Sequence, residues 1–344
     1  MRTFLYATLA IALTGYFLVS GACAQPKDFY AGKTITMVVS TGVGGEYDRN
    51  LRLLQRHIGK YILGNPTILV INQVGAGGLL AINHAANMAP KDGTWLVLVM
   101  NGLLLFEATG MSGMHASLAN FKWIGNFSQA AAVTVVTKKS GIRSIEDAKI
   151  REVIIGSTGA GSLSAMLPAA YNALIGTKFR MVQGYDGASS MNLAMRKGEL
   201  DGRSGGTWPS YLVDFPEASK EDFIIPLTQV GEIKDLNLPN APLLTELVGV
   251  DPMKRSVAQF ISKALTQNRS LAGPDGIPDD RLAILREAFA RTMVDPTFVL
   301  EAARSNMELS PAPGVAVGNT VSEVLATSKE VREYAKFVMG SDIK

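Results

Sequence analysis

Alternation of strands, glycine-rich loops and helices is the feature of this sequence that most constrains its fold. Three times, a run of apolar or β-branched residues is followed by a glycine-rich loop, and the loop is followed by apolar residues at helical spacing. The loops are residues 42–45, 75–78 and 156–162. Parallel strands need a crossover connection between them, usually a helix, so this order predicts a mainly parallel sheet with helices on both faces.

The alternation occurs in two blocks, residues 34–100 and 133–227, which indicates two lobes. From residue 253 onward, amphipathic helices occur without a strand of comparable strength, so we expect the chain to return there and cover the first sheet. Residues 121–132 and 239–252 are the expected crossovers, and two crossovers make a hinge. The predicted boundaries are 1–24 for a signal peptide, 25–125 for the first segment of lobe 1, 126–250 for lobe 2 and 251–344 for the return to lobe 1 with C-terminal helices.

The N-terminal residues have the order of a secretory signal. Arg2 precedes an apolar run over residues 4–19, and small residues follow the run. The run is about sixteen residues long, shorter than the roughly twenty that a membrane-spanning helix needs, so a cleaved signal is favoured over a membrane anchor. Cleavage is expected after Ala24 and would remove Cys23, the single cysteine. A lipoprotein modified at Cys23 is the alternative.

Charge and motif content exclude several classes of function. The net charge is +3 without a basic run, so no nucleic-acid partner is expected. Neither of the first two glycine loops completes G-x-G-x-x-G, and the sequence has no P-loop and no G-x-S-x-G elbow. His57, His84 and His115 form no H-E-x-x-H motif and no cluster with acidic residues. We therefore expect no cofactor, no metal and no enzymatic activity.

The glycine loops predict a binding site for an anion at the carboxyl ends of the strands. Helix N-termini present free N–H groups and a partial positive charge there. Asp48 is interpreted as a helix cap or as a brace between loops, and not as a group that contacts the ligand. Arg203 could neutralise a carboxylate, or it could instead pair with Asp201 or Asp186. The candidate ligand-binding residues are Ser40, Thr41, Gly44, Gly45, Gly77, Asn101, Ser157, Thr158, Gly159, Ser162, Tyr185, Arg203 and Gly205.

An ordered set of motifs along the mature chain resembles the Bug family, the TctC-type receptors of tripartite tricarboxylate transporters. Single motifs are weak, but the order is specific. The motifs are Gly32-Lys33-Thr34-Ile35-Thr36, Gly44-Gly45-x-x-Asp48, Asn72-x-x-Gly75-Ala76-Gly77-Gly78, Ala89-Pro90-Lys91-Asp92-Gly93-Thr94, Gly198-Glu199-Leu200-Asp201, Gly273-Pro274-x-Gly276-Ile277-Pro278, Leu285-Arg286-x-Ala288-Phe289 and Asp295-Pro296.

The resemblance implies an α/β, two-lobed periplasmic-binding-protein-like fold and a periplasmic solute-binding protein, expected to be a monomer. Such a receptor captures a small carboxylate in the cleft between its lobes and presents it to membrane transporter subunits of the tripartite tricarboxylate type. Ser40-Thr41 replaces the Pro-Phe of many members, which leaves the identity of the carboxylate open. A receptor that feeds a regulator, or a hydrolase that uses Ser157 or Ser162, are the alternatives.

Overall fold

Two β-sheets, each flanked by helices, organise the computed structural model, which describes residues 29–217, 223–265 and 269–340. The predicted signal peptide and its cleavage site lie outside the described residues. The strands are β1 (Thr34–Val39), β2 (Thr67–Asn72), β3 (Trp95–Val99), β4 (Lys122–Asn126), β5 (Ala132–Thr137), β6 (Val153–Gly156), β7 (Phe179–Val182), β8 (Gly202–Gly206), β9 (Ile224–Val230), β10 (Ser270–Gly273) and β11 (Ala312–Pro313).

The helices that cover these sheets fall between the strands and after β10. They are α1 (Glu46–Ile58), α2 (Leu79–Asn87), α3 (Gly102–Ala108), α4 (Ile145–Ile150), α5 (Leu163–Ile175), α6 (Ala188–Lys197), α7 (Trp208–Asp214), α8 (Leu244–Leu247), α9 (Pro252–Leu265), α10 (Asp279–Met293), α11 (Pro296–Arg304), α12 (Gly314–Leu325) and α13 (Lys329–Gly340). Within the described ranges, none of these helices combines the length and the apolar character needed to cross a membrane.

The sheet of lobe 1 has six strands in the order β11-β4-β10-β3-β1-β2, and the sheet of lobe 2 has five in the order β7-β6-β8-β5-β9. Strands β1, β2 and β3 pair in parallel, as do β6, β7 and β8. Each sheet also contains an inserted antiparallel strand, β10 between β3 and β4 and β5 between β8 and β9. These two sheets flanked by helices confirm the predicted two-lobed fold class.

Strand β10 corrects one expectation from the sequence, since the C-terminal part was expected to add helices without a comparable strand. Its four residues Ser270–Gly273 are all buried at the centre of the sheet. The segment is too short to show an alternating hydrophobic pattern, and it contains no β-branched or aromatic residue. Nothing in these four residues therefore indicates a strand. The expected crossover at 121–132 likewise contains all of β4 and the first residue of β5.

Burial of apolar faces explains why these segments fold as they do. All five residues of β3 are buried, as expected for a central strand with helices on both faces. Helix α1 buries Leu51, Leu54 and Ile58 at helical spacing against the lobe 1 core. The C-terminal helix α13 packs on α5 of lobe 2 and on α9, so the last segment is shared between the lobes. The predicted domain boundaries stay a prediction.

Candidate ligand-binding site

A small cavity of about 60 Å³ lies between the two lobes, at the ends of the strands that lead into the glycine loops. Lobe 1 contributes the loop after β1 and the residues after β3, including Thr41, Gly45 and Asn101. Lobe 2 contributes the loops after β6 and β7 and the end of β8. The cavity is therefore built by both halves of the chain.

Besides the short helix α3, whose N-cap residue is Asn101, three longer helices point their N-termini at this cavity, and none of the three has a side-chain cap. Gly45 precedes α1, Ser162 precedes α5 and Gly187 precedes α6, and all three residues line the cavity. The N-termini of α10 and α12 also lack a side-chain cap but lie away from this cavity, so what distinguishes α1, α5 and α6 is that their first turns meet at one space. First-turn N–H groups without a capping side chain can donate hydrogen bonds to a ligand, and the helix dipoles favour an anion.

The first glycine loop is braced by Asp48. Its carboxylate accepts hydrogen bonds from the Gly44 amide at 2.9 Å and from Arg52 Nε at 2.9 and 3.0 Å. Asn72 Nδ2 donates to Asp48 Oδ1 at 2.9 Å and to the Thr41 carbonyl at 2.8 Å. Burial raises the pKa of Asp48, but these hydrogen bonds outweigh burial and hold the pKa below its usual value. Asp48 therefore acts as a brace, which is one of the two roles that the sequence suggests.

The hydroxyl groups of the third glycine loop are largely used within that loop. The Thr158 amide donates to Ser164 Oγ at 3.0 Å, and Ser162 Oγ donates to the Gly159 carbonyl at 2.7 Å. Ser162 Oγ also lies 2.7 Å from Ser164 Oγ. The Gly159 amide donates to Ser157 Oγ at 3.2 Å. The amides at the start of α5 are thus better placed for a ligand than the serine hydroxyls.

Arg203 lines the cavity, but its charge is already balanced. The side chain is 3% exposed, and its Nη2 donates to Asp214 Oδ2 at 2.7 Å, while its Nε donates to Asn192 Oδ1 at 2.7 Å. Its guanidinium also lies 4.2 Å from the centroid of the Tyr211 ring. The partner is thus Asp214, in place of Asp201 or Asp186. Arg203 brings little net charge to the cavity.

Glu46 is a buried acidic residue in the cavity wall that the sequence analysis missed. Its Oε1 accepts hydrogen bonds from Thr207 Oγ1 at 2.8 Å and forms an ion pair with Arg269 Nη1 at 2.9 Å. Arg269 is distant in the sequence and lies just before β10, so no local pattern reveals the pair. The ion pair offsets the negative charge of Glu46 beside the helix N-termini.

Contacts across the cleft hold the two lobes against each other in this structure. The Gly42 amide donates to the Asp186 carbonyl at 2.9 Å. Arg49 Nη1 forms an ion pair with Asp214 Oδ1 at 2.9 Å, so Asp214 joins Arg49 of lobe 1 to Arg203 of lobe 2. A Cβ on Gly77 would lie 2.8 Å from the Gly161 amide nitrogen, which shows how closely the second and third loops approach.

The structure brings part of the predicted site together and separates the rest. Ser40 and Ser157 are buried outside the cavity wall, Gly44 borders a neighbouring cavity, and Gly77 and Gly159 contact each other's loops. Tyr185 packs against the hydrophobic core of lobe 2. The predicted residues that line the cavity are Thr41, Gly45, Asn101, Thr158, Ser162, Arg203 and Gly205. Lining residues absent from the prediction are Glu46, Tyr47, Met100, Leu163, Ser164, Gly187, Ala188, Met191, Ser204 and Gly206.

The histidines lie elsewhere in the fold. His57 lies 3.3 Å from Glu301 and packs edge-on against Phe298, and His84 stacks on Trp95. His115 is held at the surface, where its amide donates to Asn83. Among the described residues, no group of three or more histidine, cysteine, aspartate or glutamate side chains is arranged to hold a metal ion.

Comparison with known proteins finds solved structures of similar fold and curated sequence relatives, while no family model matches the chain. Periplasmic binding protein BugD has 16% identity and a TM-score of 0.70, over 92% of this chain and 99% of that one. MatC from Rhodopseudomonas palustris, solved with bound malate, has 20% identity and a TM-score of 0.69, over 88% and 99% of the two chains. At these identities, the structural matches establish the fold.

The curated relatives match one part of the chain. The UPF0065 protein encoded in the TAR-I ttuE-ttuC' intergenic region of Agrobacterium vitis is 26% identical over 185 residues, which is 52% of each chain. The chain thus spans about half the length of the curated relatives it matches. Together with the BugD fold, this similarity confirms the resemblance to Bug-type receptors that the sequence motifs indicate.

Proposed function

We propose that this protein is an exported, periplasmic receptor that binds a small carboxylate between its lobes and passes it to a membrane transporter of the tripartite tricarboxylate type. In this proposal, residues 25–125 and 251–344 form lobe 1, and residues 126–250 form lobe 2. The receptor acts as a monomer. The malate bound to MatC, which shares the fold, supports a carboxylate as the ligand class. Export is supported by the signal-like N-terminus.

The convergence of three uncapped helix N-termini on one cavity carries this proposal. Helices α1, α5 and α6 come from both lobes, so a ligand that bridges their first turns stabilises the closed arrangement. The charged side chains in the wall are paired, Arg203 with Asp214 and Glu46 with Arg269. The remaining field comes from N–H groups and helix dipoles, which suits an anion better than a cation.

Thr41 is the side chain best placed for a direct contact. It lines the cavity, it is buried, and its Oγ1 has no hydrogen-bond partner among the described residues. A buried hydroxyl without a partner loses hydrogen-bond energy that a ligand oxygen can restore. We propose that the Thr41 hydroxyl and the amides near Gly45, Ser162 and Gly187 hold the carboxylate oxygens.

A thermal-shift panel tests the ligand class. At a ligand concentration of one hundred times Kd, binding adds about 2.7 kcal/mol to the free energy of unfolding. We therefore expect an aliphatic mono- or dicarboxylate, with malate as the first probe, to raise Tm by about 5 °C or more. Sugars and cationic amino acids should leave Tm unchanged. Stabilisation by sugars alone would reject the proposal.

Two variants of Thr41 connect the panel to the cavity. Thr41→Val keeps the shape and removes the hydroxyl, so it should lower the affinity for the stabilising carboxylate by about tenfold. Thr41→Ser keeps the hydroxyl and serves as the matched control, with affinity close to that of the wild type. Equal affinities of the two variants would place the carboxylate away from Thr41.

Absence of hydrolytic activity is the second expectation. Ser162 Oγ donates to the Gly159 carbonyl, and the three histidines lie elsewhere, so no histidine is in place to activate this hydroxyl. The purified protein should release no nitrophenol from nitrophenyl esters above the rate of buffer. A turnover that disappears in Ser162→Ala would show a serine hydrolase and overturn the proposed role as a receptor.

A further inference from the structure

A second and larger cavity, of about 350 Å³, lies on the opposite side of the first glycine loop. Its walls come from α1, from α7 of lobe 2 and from residues 305–307. Glu46 lines both this cavity and the interlobe cavity described above, so its side chain separates the two. The volume falls in the range that small-molecule pockets occupy, about 300–1,000 Å³.

A buried arginine in the wall of this cavity has an unused hydrogen-bonding edge. Arg269 is 1% exposed and lines the cavity, and its Nη1 is paired with Glu46. Its Nε and Nη2 are buried and have no hydrogen-bond partner among the described residues. These two nitrogens carry parallel N–H bonds on one edge of the guanidinium, which is the edge that holds a carboxylate in a bidentate contact.

Two further buried polar groups line the same cavity without a partner. They are Asn50 Nδ2 on α1 and Ser210 Oγ on α7. Unpaired buried polar groups are rare because each costs about 1–3 kcal/mol, and here three of them, from separate elements, border one space. Convergence of donors on one cavity indicates a ligand that offers acceptor oxygens.

The other arginines at this cavity already have carboxylate partners. Arg49 is paired with Asp214, Arg52 with Asp48 and Arg56 with Glu301. Arg269 also has a carboxylate partner in Glu46, but among the described arginines of this wall it is the one with buried N–H donors that lack a hydrogen-bond partner.

Apolar side chains complete the cavity and define the rest of the ligand. Leu53 from α1, Val213 from α7 and Met307 line it beside the polar groups. We propose that this cavity is a second ligand site, which binds a small aliphatic carboxylic acid with its carboxylate on the Nε and Nη2 edge of Arg269 and its carbon chain along Leu53, Val213 and Met307. This inference goes beyond the proposed function, which concerns the interlobe cavity alone.

Arg269 also contacts the segment that leads from the sheet of lobe 1 to the sheet of lobe 2. Its carbonyl accepts a hydrogen bond from the Phe127 amide at 3.4 Å, beside the paired strands β10 and β4, and Phe127 lies between β4 and β5. Ser210 and Val213 belong to lobe 2, whereas Asn50 and Leu53 belong to lobe 1. An acid bound here contacts both lobes, so it favours their closed arrangement.

Hexanoate is the probe for this site, measured by titration calorimetry on the full mature protein. Arg269→Gln removes the bidentate edge, and Val213→Phe fills the cavity without changing any charge. Both variants should weaken hexanoate binding by at least about tenfold. Arg56→Gln is the matched control, because it removes a charge at the same cavity whose side chain is 56% exposed. It should change hexanoate binding by less than about twofold.

Ala188→Phe, which fills the interlobe cavity instead, separates this inference from the proposed function. We expect Ala188→Phe to keep hexanoate binding and to lose binding of the carboxylate found by the thermal-shift panel. Loss of hexanoate binding in Ala188→Phe, with retention in Val213→Phe, would place hexanoate in the interlobe cavity and overturn the second site. Wild-type protein without saturable hexanoate binding would overturn it as well. If Arg269→Gln fails to fold, the hexanoate affinity of Val213→Phe alone tests the second site.

Discussion

Gly77→Ala should weaken carboxylate binding by at least about tenfold while leaving both lobes folded. Gly77 lies in the loop after β2, and a Cβ at this position would be 2.8 Å from the amide nitrogens of Gly161 and Ser162. Both nitrogens belong to the lobe 2 backbone at the start of α5, and backbone cannot move aside as a flexible side chain can. The clash therefore opposes closure of the lobes. Since the ligand binds the closed arrangement, apparent affinity falls with the population of that arrangement.

The chain offers a closely matched control for this variant. Gly32 has φ +68, against φ +66 for Gly77, and a Cβ on Gly32 would meet no atom within 4 Å. Gly32→Ala therefore introduces the same backbone strain, about 1 kcal/mol, without any contact across the cleft. Titration calorimetry with the stabilising carboxylate should show a tenfold loss for Gly77→Ala and wild-type affinity for Gly32→Ala. Equal affinities would mean that the loop contact plays no part in binding.

Long periodic segments explain why the fold could be predicted from the sequence. Strand β1, the glycine loop and helix α1 follow each other within 25 residues, and their pattern is local. Strand β10 was missed because its position at the centre of the sheet depends on burial between β3 and β4, both distant in the chain. Topology of this kind follows from tertiary packing, which a four-residue segment does not encode.

The glycine loops of the candidate site can be recognised in the sequence, whereas the ion pairs beside it cannot. The glycine loops mark where the backbone approaches something closely, and the structure shows that Gly77 and Gly161 approach each other. Glu46 and Arg269 form their ion pair across 223 positions, and Arg203 pairs with Asp214 in place of Asp201 or Asp186. Each pair joins two elements that meet only when their lobe folds, so spacing within the sequence does not reveal it.

Asp214→Asn should produce the largest loss of stability among these variants. The Asp214 side chain is 4% exposed and neutralises Arg203, which is 3% exposed, at 2.7 Å. Removal of one partner from a buried ion pair leaves an uncompensated buried charge, which costs about 3–5 kcal/mol. The free energy of unfolding should fall by about 3 kcal/mol, since asparagine still accepts one hydrogen bond, and Tm should fall by about 6–10 °C.

Two further variants separate the effect of Asp214→Asn on stability from its effect on closure of the lobes. Glu152→Gln, which breaks the exposed pair with Arg180 in the same lobe, should change the free energy of unfolding by less than about 0.5 kcal/mol. Arg49→Gln removes only the half of the network that crosses the cleft, because Arg49 pairs with Asp214 from lobe 1. It should leave Tm within about 1 °C of the wild type and weaken carboxylate binding, since its partly exposed pair contributes little to folding but stabilises the closed lobes. Denaturant unfolding and calorimetry give the two readouts. An Asp214→Asn protein as stable as Glu152→Gln would show that the Arg203 charge is satisfied by other groups.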